Sequence, residues 1–320
     1  MKIAILGFGT VGKGIAEILL KKTTEFTANL SIKKILVKES RVDFYQKLIK
    51  ETSPFESLSS NILTSNISEI INDKEITVVV ECMGGVNPAF EYVLKSLEAG
   101  KKVVTSNKNL LAEKYNELIN NEKYKNKIKY EACVGGGIHI FHSINNIKKV
   151  DKIKSFSGII NGTTNYILST MTENNNLDFD DVLKEAQKLG FAEADPASDI
   201  DGHDACYKAV LLYNEIFENK IGVDKVELKG IRNITKNDIL KAKEKDKIIK
   251  LIAYGDKDKI YVKPVEIEKS NYLANINRNL NCIVIDSENL GVSAYVGQGA
   301  GKLATAHAVV LDIVDFFIDI

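Results

Sequence analysis

Apolar runs alternate with amphipathic segments through the first 135 residues of the chain. Strand-like runs rich in Val and Ile occur in KIAIL, KKILV, ITVVVEC, KKVVTS and KIKYEAC, and segments of helical periodicity such as IAEILL and AFEYVLKSL lie between them. Apolar strands that alternate with helices are typical of a parallel sheet covered on both faces. Asn87 and Pro88 predict the N-cap and first residue of one helix, and Gly100 predicts its end. Residues 1–135 are therefore expected to form a Rossmann-like, doubly wound parallel sheet of the α/β class.

The pattern changes after the three glycines at 135–137. A strand-like KIKSFSGII is followed by helices on either side of an acidic stretch, and then by strand patterns in IIKLIAYG, KIYVKPVEI, NCIVIDS and GVSAYVG. The DKDK sequence at 256–259 predicts a hairpin turn between two of these strands. We expect residues 136–300 to form an α+β domain with a mixed, largely antiparallel sheet, and the apolar helix at about 300–320 to pack back on the first domain.

The composition narrows the class of protein. The 43 basic and 43 acidic residues among 320 balance, whereas a nucleic-acid-binding protein normally carries a basic excess. No apolar run approaches the ~20 residues that span a bilayer, and MKIAIL enters a strand without a cationic leader. The four cysteines form no CxxC pair, which is typical of free thiols in a reducing compartment. We expect a cytoplasmic protein, complete at its N-terminus, with neither nucleic acid nor membrane among its partners.

A glycine-rich motif, GFGTVG, lies between the first strand and the first helix. In this context Gly7 permits a tight turn, Gly9 lets the backbone approach a pyrophosphate, and Gly12 lets helix and strand pack closely. N–H groups at the start of the helix, which includes Thr10 and Val11, have no acceptor within the helix and can bind phosphate oxygens. The motif predicts that the first domain binds a dinucleotide, NADP or NAD.

The end of the second strand leaves the choice between these two cofactors open. An acidic residue at this place binds the ribose 2′-hydroxyl of NAD, and Glu39 in LVKESR is available for that role. Its neighbours Lys38 and Arg41 could instead hold the 2′-phosphate of NADP. Both cofactors are therefore compatible with the sequence, and the two cations favour NADP.

Six local sequences occur in the order and at the separations found in homoserine dehydrogenases. They are GFGTVGKG at 7–14, VVTSNK at 103–108, ACVGGGI at 132–138, NGTTNYIL at 161–168, AEADPASDIDGHDACYK at 192–208 and GQGAGK at 297–302. The chain therefore resembles that family over nearly its whole length. The resemblance implies reversible reduction of L-aspartate 4-semialdehyde to L-homoserine with NADPH or NADH, a step of threonine and methionine biosynthesis. It also implies a homodimer formed through the second, catalytic domain.

The sequence departs from the family pattern in two loops. His139 follows Ile138 where the family commonly has proline, and Lys302 and Ala304 replace an arginine and a proline. These changes concern loop geometry rather than the predicted reactive groups. Longer family members carry a C-terminal regulatory domain that binds a ligand. Because the chain ends just after the GQGAGK helix, we expect it to lack feedback regulation through such a domain.

Reduction of an aldehyde requires a hydride and a proton, so the site needs a general acid near the carbonyl oxygen. Asp204 and Lys208 are four residues apart on a predicted helix and share one of its faces. The resemblance implies that Lys208 is the acid in reduction and the base in oxidation, and that Asp204 orients it. It also implies that Lys108, at the carboxyl end of the TSNK strand, assists at the carbonyl or the nicotinamide.

An amino-acid substrate has an ammonium group, which carboxylates bind. The resemblance assigns Glu193 and Asp199 to this ammonium group and Thr163 to the α-carboxylate. Asp195 precedes a proline in a turn and Asp201 lies near a helix start, so both are expected to be structural. The acidic stretch is thus divided between substrate binding, proton transfer and local structure.

Other ligands of the site follow from the same resemblance. A structural monovalent cation, Na⁺ or K⁺, is expected near the triple glycine, with ligands from Glu131, Val134, Gly136 and Ile138. The remaining cofactor contacts that the resemblance implies are Thr105, Ser106, Lys108, Gly190 and Gly299. A calcium loop in the acidic stretch is disfavoured, because its twelfth position, counted from Asp199, is Val210 rather than glutamate.

One hypothesis from another functional class stays open. The chain could be a nucleotide-binding sensor or assembly protein that keeps the fold and has lost turnover. This hypothesis is disfavoured, because a protein that only binds a nucleotide needs no proton donor. Here the predicted acid Lys208 and its partner Asp204 are both present.

Overall fold

The structure is a computed structural model that describes residues 1–59, 61–174 and 176–318. The chain forms two compact units. One contains Met1–Gly137 together with the chain from Gly301 onward, and the other contains Ile138–Ala300. Each unit contains one six-stranded sheet.

The sheet of the first unit is parallel. Its strands are β1 (Lys2–Leu6), β2 (Ser31–Leu36), β3 (Leu63–Thr64), β4 (Ile76–Glu81), β5 (Lys102–Thr105) and β6 (Ile128–Lys129). Their order is β3-β2-β1-β4-β5-β6, so the direction of winding reverses between β1 and β4. Ile5 pairs with Ile35 on one side and Val80 on the other, and all three are fully buried. The predicted doubly wound parallel sheet is confirmed, and such sheets bind ligands at the carboxyl ends of the strands near the reversal.

The helices that accompany this sheet are α1 (Thr10–Lys21), α2 (Glu25–Ala28), α3 (Val42–Glu51), α4 (Ile67–Ile71), α5 (Ala89–Glu98) and α6 (Lys108–Leu118). Helix α5 ends as predicted, with Gly100 at φ +79° two residues beyond its last residue. Its start is one residue later than predicted, because Pro88 keeps a non-helical ψ of 8° and occupies the N-cap in place of Asn87.

The predicted strand KIKYEAC is shorter than expected. Strand β6 ends at Lys129, and Glu131–Cys133 form a 3-10 turn. The Glu131 N–H donates to the Asp312 carboxylate at 2.8 Å, and the Cys133 N–H donates to the Tyr130 carbonyl at 2.9 Å. These bonds take the place of a sheet ladder, so the strand prediction is wrong for Glu131–Cys133.

The sheet of the second unit is mixed and largely antiparallel, as predicted. Its strands are β7 (Ile153–Ile159), β8 (Glu227–Leu228), β9 (Lys247–Asp256), β10 (Ile260–Glu268), β11 (Leu280–Ser287) and β12 (Gly291–Gln298). Their order is β12-β11-β7-β9-β10-β8, and the β8–β10 pair is parallel. The predicted turn between β9 and β10 is confirmed: Asp256 Oδ1 accepts hydrogen bonds from the Asp258 N–H at 2.9 Å and the Lys259 N–H at 3.0 Å.

The helices of the second unit are α7 (Ile140–Lys148), α8 (Gly162–Glu173), α9 (Phe179–Lys188), α10 (Ala197–Ile200), α11 (His203–Phe217) and α12 (Lys236–Glu244). Helices α8 and α12 pack on β9, and α11 packs on β9 and β10. Only Ile160 and Asn161 separate the end of β7 from the start of α8. The β7–α8 junction and the start of α11 are the parts of this unit that position its polar site.

The last helix, α13 (Lys302–Ile318), packs on α1 in the first unit, and residues 319–320 of the predicted helix lie outside the described residues. Gly14 permits the close approach, because a Cβ there would lie 2.7 Å from the Lys302 carbonyl oxygen and 2.9 Å from the Ala306 Cβ. Lys302 also forms an ion pair with Glu17 of α1. Among the helices in the described ranges, none combines the length and apolar character that a membrane span needs.

Candidate active site

The β1–α1 turn carries the GFGTVG motif. Gly7 has φ +99°, and a Cβ at Gly12 would lie 2.2 Å from the Gly7 carbonyl oxygen, so the turn requires both glycines. Gly9 differs, because nothing lies within 4 Å of its Cβ position and its φ is −76°. Gly9 is the N-cap of α1, whose first turn includes Thr10 and Val11. The turn thus offers N–H groups beside an unobstructed glycine, which is the arrangement that binds phosphate.

The segment after β2 contains the residues that the sequence predicts to distinguish NADP from NAD. Lys38 and Arg41 are both exposed there. The Arg41 guanidinium lies 4.1 Å from the centroid of the Phe44 ring, which supports its position. Glu39 Oε2 accepts a hydrogen bond from the Ser65 hydroxyl. The Glu39 carboxylate is therefore bound to a neighbouring side chain, whereas the Lys38 and Arg41 side chains are exposed.

A buried carboxyl group lies at the carboxyl ends of β4 and β5. Glu81 has no solvent-accessible surface. It accepts hydrogen bonds from the Thr105 hydroxyl at 2.6 Å and the Met83 N–H at 2.7 Å. The Asn107 amide is a third donor, at 3.3 Å. Burial raises the pKa of Glu81 despite these donors. The sequence gives little signal for this group, because it ends an apolar strand.

The last residue of β5 and the segment that follows it contain three of the predicted cofactor contacts: Thr105, Ser106 and Lys108. Asn107 is the N-cap of α6, and its Oδ1 accepts a hydrogen bond from the Leu110 N–H at 3.1 Å. The Ser106 N–H donates to a β4 carbonyl at 3.2 Å. Lys108 is the first residue of α6 and is half-buried. The Asn107 cap therefore fixes the backbone at the start of α6, where Lys108 is located.

An ion pair occupies the first two turns of α11. Lys208 Nζ donates to Asp204 Oδ2 at 2.7 Å and to the Ile160 carbonyl at 2.8 Å. Asp204 and Lys208 are each 8% exposed, so bulk water screens their interaction only weakly. The predicted placement of the two residues on one helical face is confirmed. A shielded ammonium held by a carboxylate is a suitable proton donor for a reacting carbonyl.

Asn161, at the β7–α8 junction, joins two carboxylates. Its Nδ2 donates to Asp199 Oδ1 at 2.7 Å and to Asp204 Oδ2 at 2.9 Å. Its Oδ1 accepts from the Thr164 N–H at 2.8 Å and caps α8. The sequence analysis did not single out Asn161. Its position before the GTTNYIL helix is a signal for the cap, but the two carboxylates lie 38 and 43 residues further along the chain.

The predicted substrate residues Thr163, Asp199 and Glu193 all lie in the second unit, but they differ in exposure and in hydrogen bonding. The Thr163 hydroxyl oxygen lies 3.0 Å from Asp199 Oδ2 and 2.8 Å from the Phe191 carbonyl oxygen, so its single proton is shared between the two acceptors. Asp199 is thereby joined to Thr163 and Asn161. Glu193 is exposed, and its carbonyl accepts a hydrogen bond from Gln187 Nε2 at 3.0 Å. Within the described residues, no hydrogen bond joins the Glu193 carboxylate to this cluster.

The two remaining acids of the stretch, Asp195 and Asp201, are bound within the protein, Asp195 locally and Asp201 to a residue 31 positions away. Asp195 Oδ1 accepts a hydrogen bond from the Ala197 N–H at 3.2 Å, at the start of α10. Asp201 accepts two hydrogen bonds from Arg232, from Nε at 2.8 Å and Nη2 at 2.7 Å. The guanidinium holds the pKa of Asp201 below its ordinary value. The partner of Asp201 is thus an arginine side chain rather than the expected helix start.

Gly190 and Gly299 lie in the second unit. Gly190 follows α9 at φ +79°, and nothing lies within 4 Å of its Cβ position. A Cβ at Gly299 would lie 1.8 Å from Asn281 Nδ2. The buried Asn281 amide has no hydrogen-bond partner among the described residues. Packing against Asn281 is therefore a structural reason for glycine at 299.

Of the predicted cation ligands, Glu131, Val134 and Gly136 belong to the first unit and Ile138 belongs to the second. Glu131 and Asp312 of the first unit are both 2% exposed, and their carboxylate oxygens approach within 4.8 Å. Gly136 has φ +53°, a left-handed conformation that glycine adopts readily. Two buried carboxylates so close together are stabilised by a nearby positive charge. The sequence analysis did not predict Asp312.

The sequence matches two family models. Residues 7–131 match the homoserine dehydrogenase NAD binding domain, and residues 140–314 match the homoserine dehydrogenase family. The homoserine dehydrogenase of Neisseria gonorrhoeae is 38% identical over 320 residues, which is 98% of this chain and 72% of that protein. The similarity thus extends over both units.

Two solved structures are similar to this chain along its whole length. A putative homoserine dehydrogenase from Archaeoglobus fulgidus is 33% identical, with a TM-score of 0.86 and 99% of each chain covered. A hyperthermophilic archaeal homoserine dehydrogenase, solved in complex with NADPH, is 29% identical, with a TM-score of 0.83. That match covers 100% of this chain and 98% of the archaeal one.

Proposed function

The chain belongs to the homoserine dehydrogenase family, and we propose that Lys208 is the proton-transfer group in its reaction. The protein is an NAD(P)-dependent oxidoreductase that interconverts L-homoserine and L-aspartate 4-semialdehyde. The alternative of a nucleotide sensor without turnover gains no support, because the matched relatives are dehydrogenases.

The buried Asp204–Lys208 pair is the observation that supports this role most directly. In reduction, the Lys208 ammonium donates one proton to the carbonyl oxygen of the aldehyde and becomes a neutral amine. When bound, the nicotinamide cofactor supplies the hydride that reaches the carbonyl carbon. In oxidation, the neutral amine accepts the hydroxyl proton of homoserine. Asp204 holds Lys208 Nζ at 2.7 Å and stabilises its charged form.

The residues around this pair suit an amino-acid substrate. Asp199 provides a half-buried carboxylate for the substrate ammonium group, and the exposed Glu193 provides a second. Thr163 lies in the first turn of α8, where backbone N–H groups have no acceptor within the helix, and it is assigned to the α-carboxylate.

Oxidation of homoserine by the purified protein tests this function. Absorbance of the reduced nicotinamide is followed with homoserine and either NADP or NAD. Formation of NADPH or NADH that depends on homoserine is expected. Failure to oxidise homoserine with both cofactors over a wide pH range would contradict the proposed function.

We also propose that NADP is the preferred cofactor. Lys38 and Arg41 are assigned to its 2′-phosphate, because both are exposed and Glu39 is bound to Ser65. Thr105, Ser106, Gly190 and Gly299 are further cofactor contacts, and Lys108 is assigned to the nicotinamide or the carbonyl. Arg41→Ala is expected to lower kcat/KM for NADP about tenfold and leave kcat/KM for NAD within about twofold. Equal losses with both cofactors would contradict this assignment.

The glycine turn allows a test of cofactor binding that separates ligand contact from folding. Gly9→Ala is expected to raise the cofactor KM at least about tenfold without lowering Tm, because the added methyl group meets no protein atom within 4 Å. Gly12→Ala is the matched variant, and its methyl group would lie 2.2 Å from a carbonyl oxygen, so it is expected to lower Tm. An unchanged cofactor KM in Gly9→Ala would contradict binding at this turn.

A homodimer formed through β12 is also proposed. This strand lies at one edge of the second sheet, and Val292 and Val296 on its outer face are 50% and 53% exposed. An edge strand has unpaired backbone groups that can pair with another chain, and exposed apolar residues on it add to such an interface. Val296→Lys is expected to convert the dimer to a monomer in size-exclusion chromatography with light scattering. Val150→Lys, at a site 85% exposed, is the control, and a wild-type monomer would contradict the proposal.

A structural Na⁺ or K⁺ is proposed near Glu131, with the carbonyls of Val134, Gly136 and Ile138 as further ligands. The buried carboxylate oxygens of Glu131 and Asp312 approach within 4.8 Å and are ligand atoms of the kind that hard cations bind. The expected result is a higher Tm in K⁺ or Na⁺ than in a tetraalkylammonium salt at equal ionic strength. Glu131→Gln is expected to abolish the difference, and an equal Tm in all salts would contradict the cation site.

We place the enzyme in the cytoplasm, on the route to threonine and methionine. The four cysteines are free thiols, which fits a reducing compartment. Expression in a bacterial strain that lacks homoserine dehydrogenase is expected to restore growth without threonine and methionine. A lack of growth despite soluble, active enzyme would contradict this placement.

A further inference from the structure

We propose that Asn161 is a positioning residue for proton transfer, which clamps Asp204 against Lys208 and keeps Asp204 apart from Asp199. The inference rests on the proposed role of Lys208. It adds a residue that touches the proton-transfer pair without reacting itself.

The β7–α8 junction contacts both members of the pair. The Ile160 carbonyl accepts from Lys208 Nζ at 2.8 Å, and the next residue, Asn161, donates from Nδ2 to Asp204 Oδ2 at 2.9 Å. The same Asp204 oxygen accepts from Lys208 at 2.7 Å. Two consecutive residues thus fix the ammonium and the carboxylate relative to each other. Displacement of this junction would move both reacting partners.

The Asn161 amide can take only one orientation here. Its Oδ1 faces two donors, the Thr164 N–H at 2.8 Å and the Thr164 hydroxyl at 2.9 Å. Its Nδ2 faces two carboxylate acceptors, Asp199 at 2.7 Å and Asp204 at 2.9 Å. A flipped amide would place oxygen against both carboxylates and nitrogen against the Thr164 donors. Because Asn161 is 4% exposed, water is poorly placed to compensate for these bonds.

The charges around the Asn161 side chain explain why a neutral hydrogen-bond donor is suitable between Asp199 and Asp204. The contacts of Asn161 bring together the titratable groups Asp199 and Asp204, with Lys208 beside Asp204. Two carboxylates repel each other, and a single lysine cannot neutralise both. The amide hydrogens lower the repulsion without adding a positive charge. They also draw part of the Asp204 charge away from Lys208, so their loss would strengthen the attraction between Asp204 and the ammonium.

Helix α8 gives the clamp a rigid support. Two turns of the helix are anchored by Lys250, whose Nζ donates to Asn165 Oδ1 and Ser169 Oγ, both at 2.9 Å. Gly162 lies directly against the Asn279 backbone, since a Cβ there would lie 3.2 Å from its carbonyl oxygen. Contacts at Gly162, Asn165 and Ser169 therefore hold the helix that begins directly after Asn161.

Three variants test the clamp through kcat for homoserine oxidation measured across pH. Asn161→Ser keeps a helix-capping oxygen but is too short to bind both carboxylates, and kcat is expected to fall about 10- to 100-fold with cofactor KM within about threefold. Asn161→Asp keeps the shape and the cap but replaces the donor with a third carboxylate. In both variants the midpoint of the rate–pH profile is expected at higher pH, and further in Asn161→Asp. Thr235→Ala removes an exposed cap of α12 and is the control for a purely structural effect.

NMR titration of the Lys208 side chain gives a second readout that does not depend on turnover. Its signal is identified by its loss in Lys208→Met, and the titration midpoint is expected to rise in both Asn161 variants. The inference would be overturned if Asn161→Ser had the NMR midpoint and the kcat of the wild type. It would also be overturned if Thr235→Ala shifted the midpoint as much as the Asn161 variants do. An inactive wild-type enzyme would instead refute the proposed function, and the NMR midpoints would still decide whether Asn161 acts on Lys208.

Discussion

The two units use the same local device to bind different carboxyl groups. In each, an asparagine caps a helix through Oδ1, and its Nδ2 donates to a buried carboxyl group of another element. Asn107 caps α6 and donates to Glu81 at 3.3 Å. Asn161 caps α8 and donates to Asp204 at 2.9 Å. The cap orients the amide, and the amide then fixes the carboxyl group.

The difference lies in the other partners of the two carboxyl groups. The hydrogen bonds to Glu81 come from a hydroxyl, an amide and backbone N–H groups, all of them neutral, and burial raises the pKa of Glu81. Asp204 instead accepts a hydrogen bond from the charged Lys208 ammonium at 2.7 Å. Neutral donors are sufficient to hold a carboxyl group in place, whereas an ionised pair that can exchange a proton requires the lysine. Removal of either charge of the Asp204–Lys208 pair should therefore affect activity more than removal of the Glu81 charge.

Loss of the Lys208 charge is expected to have the largest effect. Lys208→Met removes the proton donor and leaves the Asp204 carboxylate buried without its cation. We expect kcat to fall at least about 1,000-fold with little change in cofactor KM. The free energy of unfolding is expected to fall by about 3–5 kcal/mol. Steady-state kinetics and chemical denaturation measure the two effects.

Lys95→Met is the matched control for that prediction. Lys95 also forms an i,i+4 ion pair, with Glu91, but the two side chains are 50% and 58% exposed. Because water screens such a pair, its loss is expected to change stability by less than about 1 kcal/mol and leave kcat unchanged. Retention of more than about a tenth of kcat in Lys208→Met would identify Lys108 or water as the acid.

Asp204→Asn is expected to have the next largest effect. The substitution keeps the shape of the side chain but removes the charge that stabilises the Lys208 ammonium. We expect kcat to fall about 100-fold. The midpoint of the rate–pH profile for oxidation is expected at lower pH, opposite to the shift for Asn161→Asp, because the ammonium loses its carboxylate. A midpoint at higher pH would contradict the ion-pair interpretation.

Lys250 extends the comparison to a buried cation held by neutral groups. Its acceptors include Asn165, Ser169 and the Ile276 carbonyl, and burial lowers its pKa from 10.5 to about 8. The folded state therefore binds fewer protons than the unfolded state between about pH 8 and 10.5. Relative to Lys250→Met, the wild type is expected to gain about 3 kcal/mol of stability across that range.

Chemical denaturation at several pH values from 7 to 10.5 measures this gain. Lys245→Met is the control, because Lys245 is 58% exposed and its ion pair with Glu266 is on the surface. The difference in stability between wild type and Lys245→Met is expected to stay constant. A difference between wild type and Lys250→Met that is also constant would show that Lys250 titrates in the folded protein as it does in the unfolded chain.

The parts of the structure that the sequence predicts well depend on neighbours along the chain. The glycine turn, the 256–259 hairpin and the i,i+4 relation of Asp204 and Lys208 all involve residues within a few positions of each other. The parts that it does not predict are contacts between distant segments. Asn161 lies 43 residues from Asp204, and Glu81 lies 24 residues from Thr105. Such contacts depend on strand order and packing, which local pattern does not determine.

The same distinction explains the errors at element boundaries. The strand predicted for Glu131–Cys133 is replaced by a turn, because the Glu131 N–H binds the carboxylate of Asp312, 181 residues away. The apolar residues of the segment suit a strand, and only the tertiary contact removes that possibility. Residues such as Glu81 are missed for a related reason. A carboxyl group at the end of an apolar strand has no local partner that would reveal its role.

Glu81→Gln is expected to have the smallest effect on activity and therefore sharpens the contrast with Asp204→Asn. Both substitutions exchange an acid for its amide, but the hydrogen bonds to Glu81 come from neutral groups. We expect kcat to remain within about threefold of wild type, because Glu81 is assigned neither to proton transfer nor to the substrate. Loss of kcat comparable to that of Asp204→Asn would contradict the division between a structural and a reactive carboxyl group.

The pH dependence of stability provides the second test of Glu81. Because burial raises the pKa of Glu81 in the folded state, that state keeps its proton at pH values where the unfolded chain, with a glutamate pKa of about 4.3, has lost it. Wild-type stability is therefore expected to fall relative to Glu81→Gln as pH rises above about 4.3. Denaturant titrations of both proteins at several pH values measure the difference. A change of the opposite sign would mean that the donors to Glu81 outweigh its burial, and that this carboxyl group is held as an anion like Asp204.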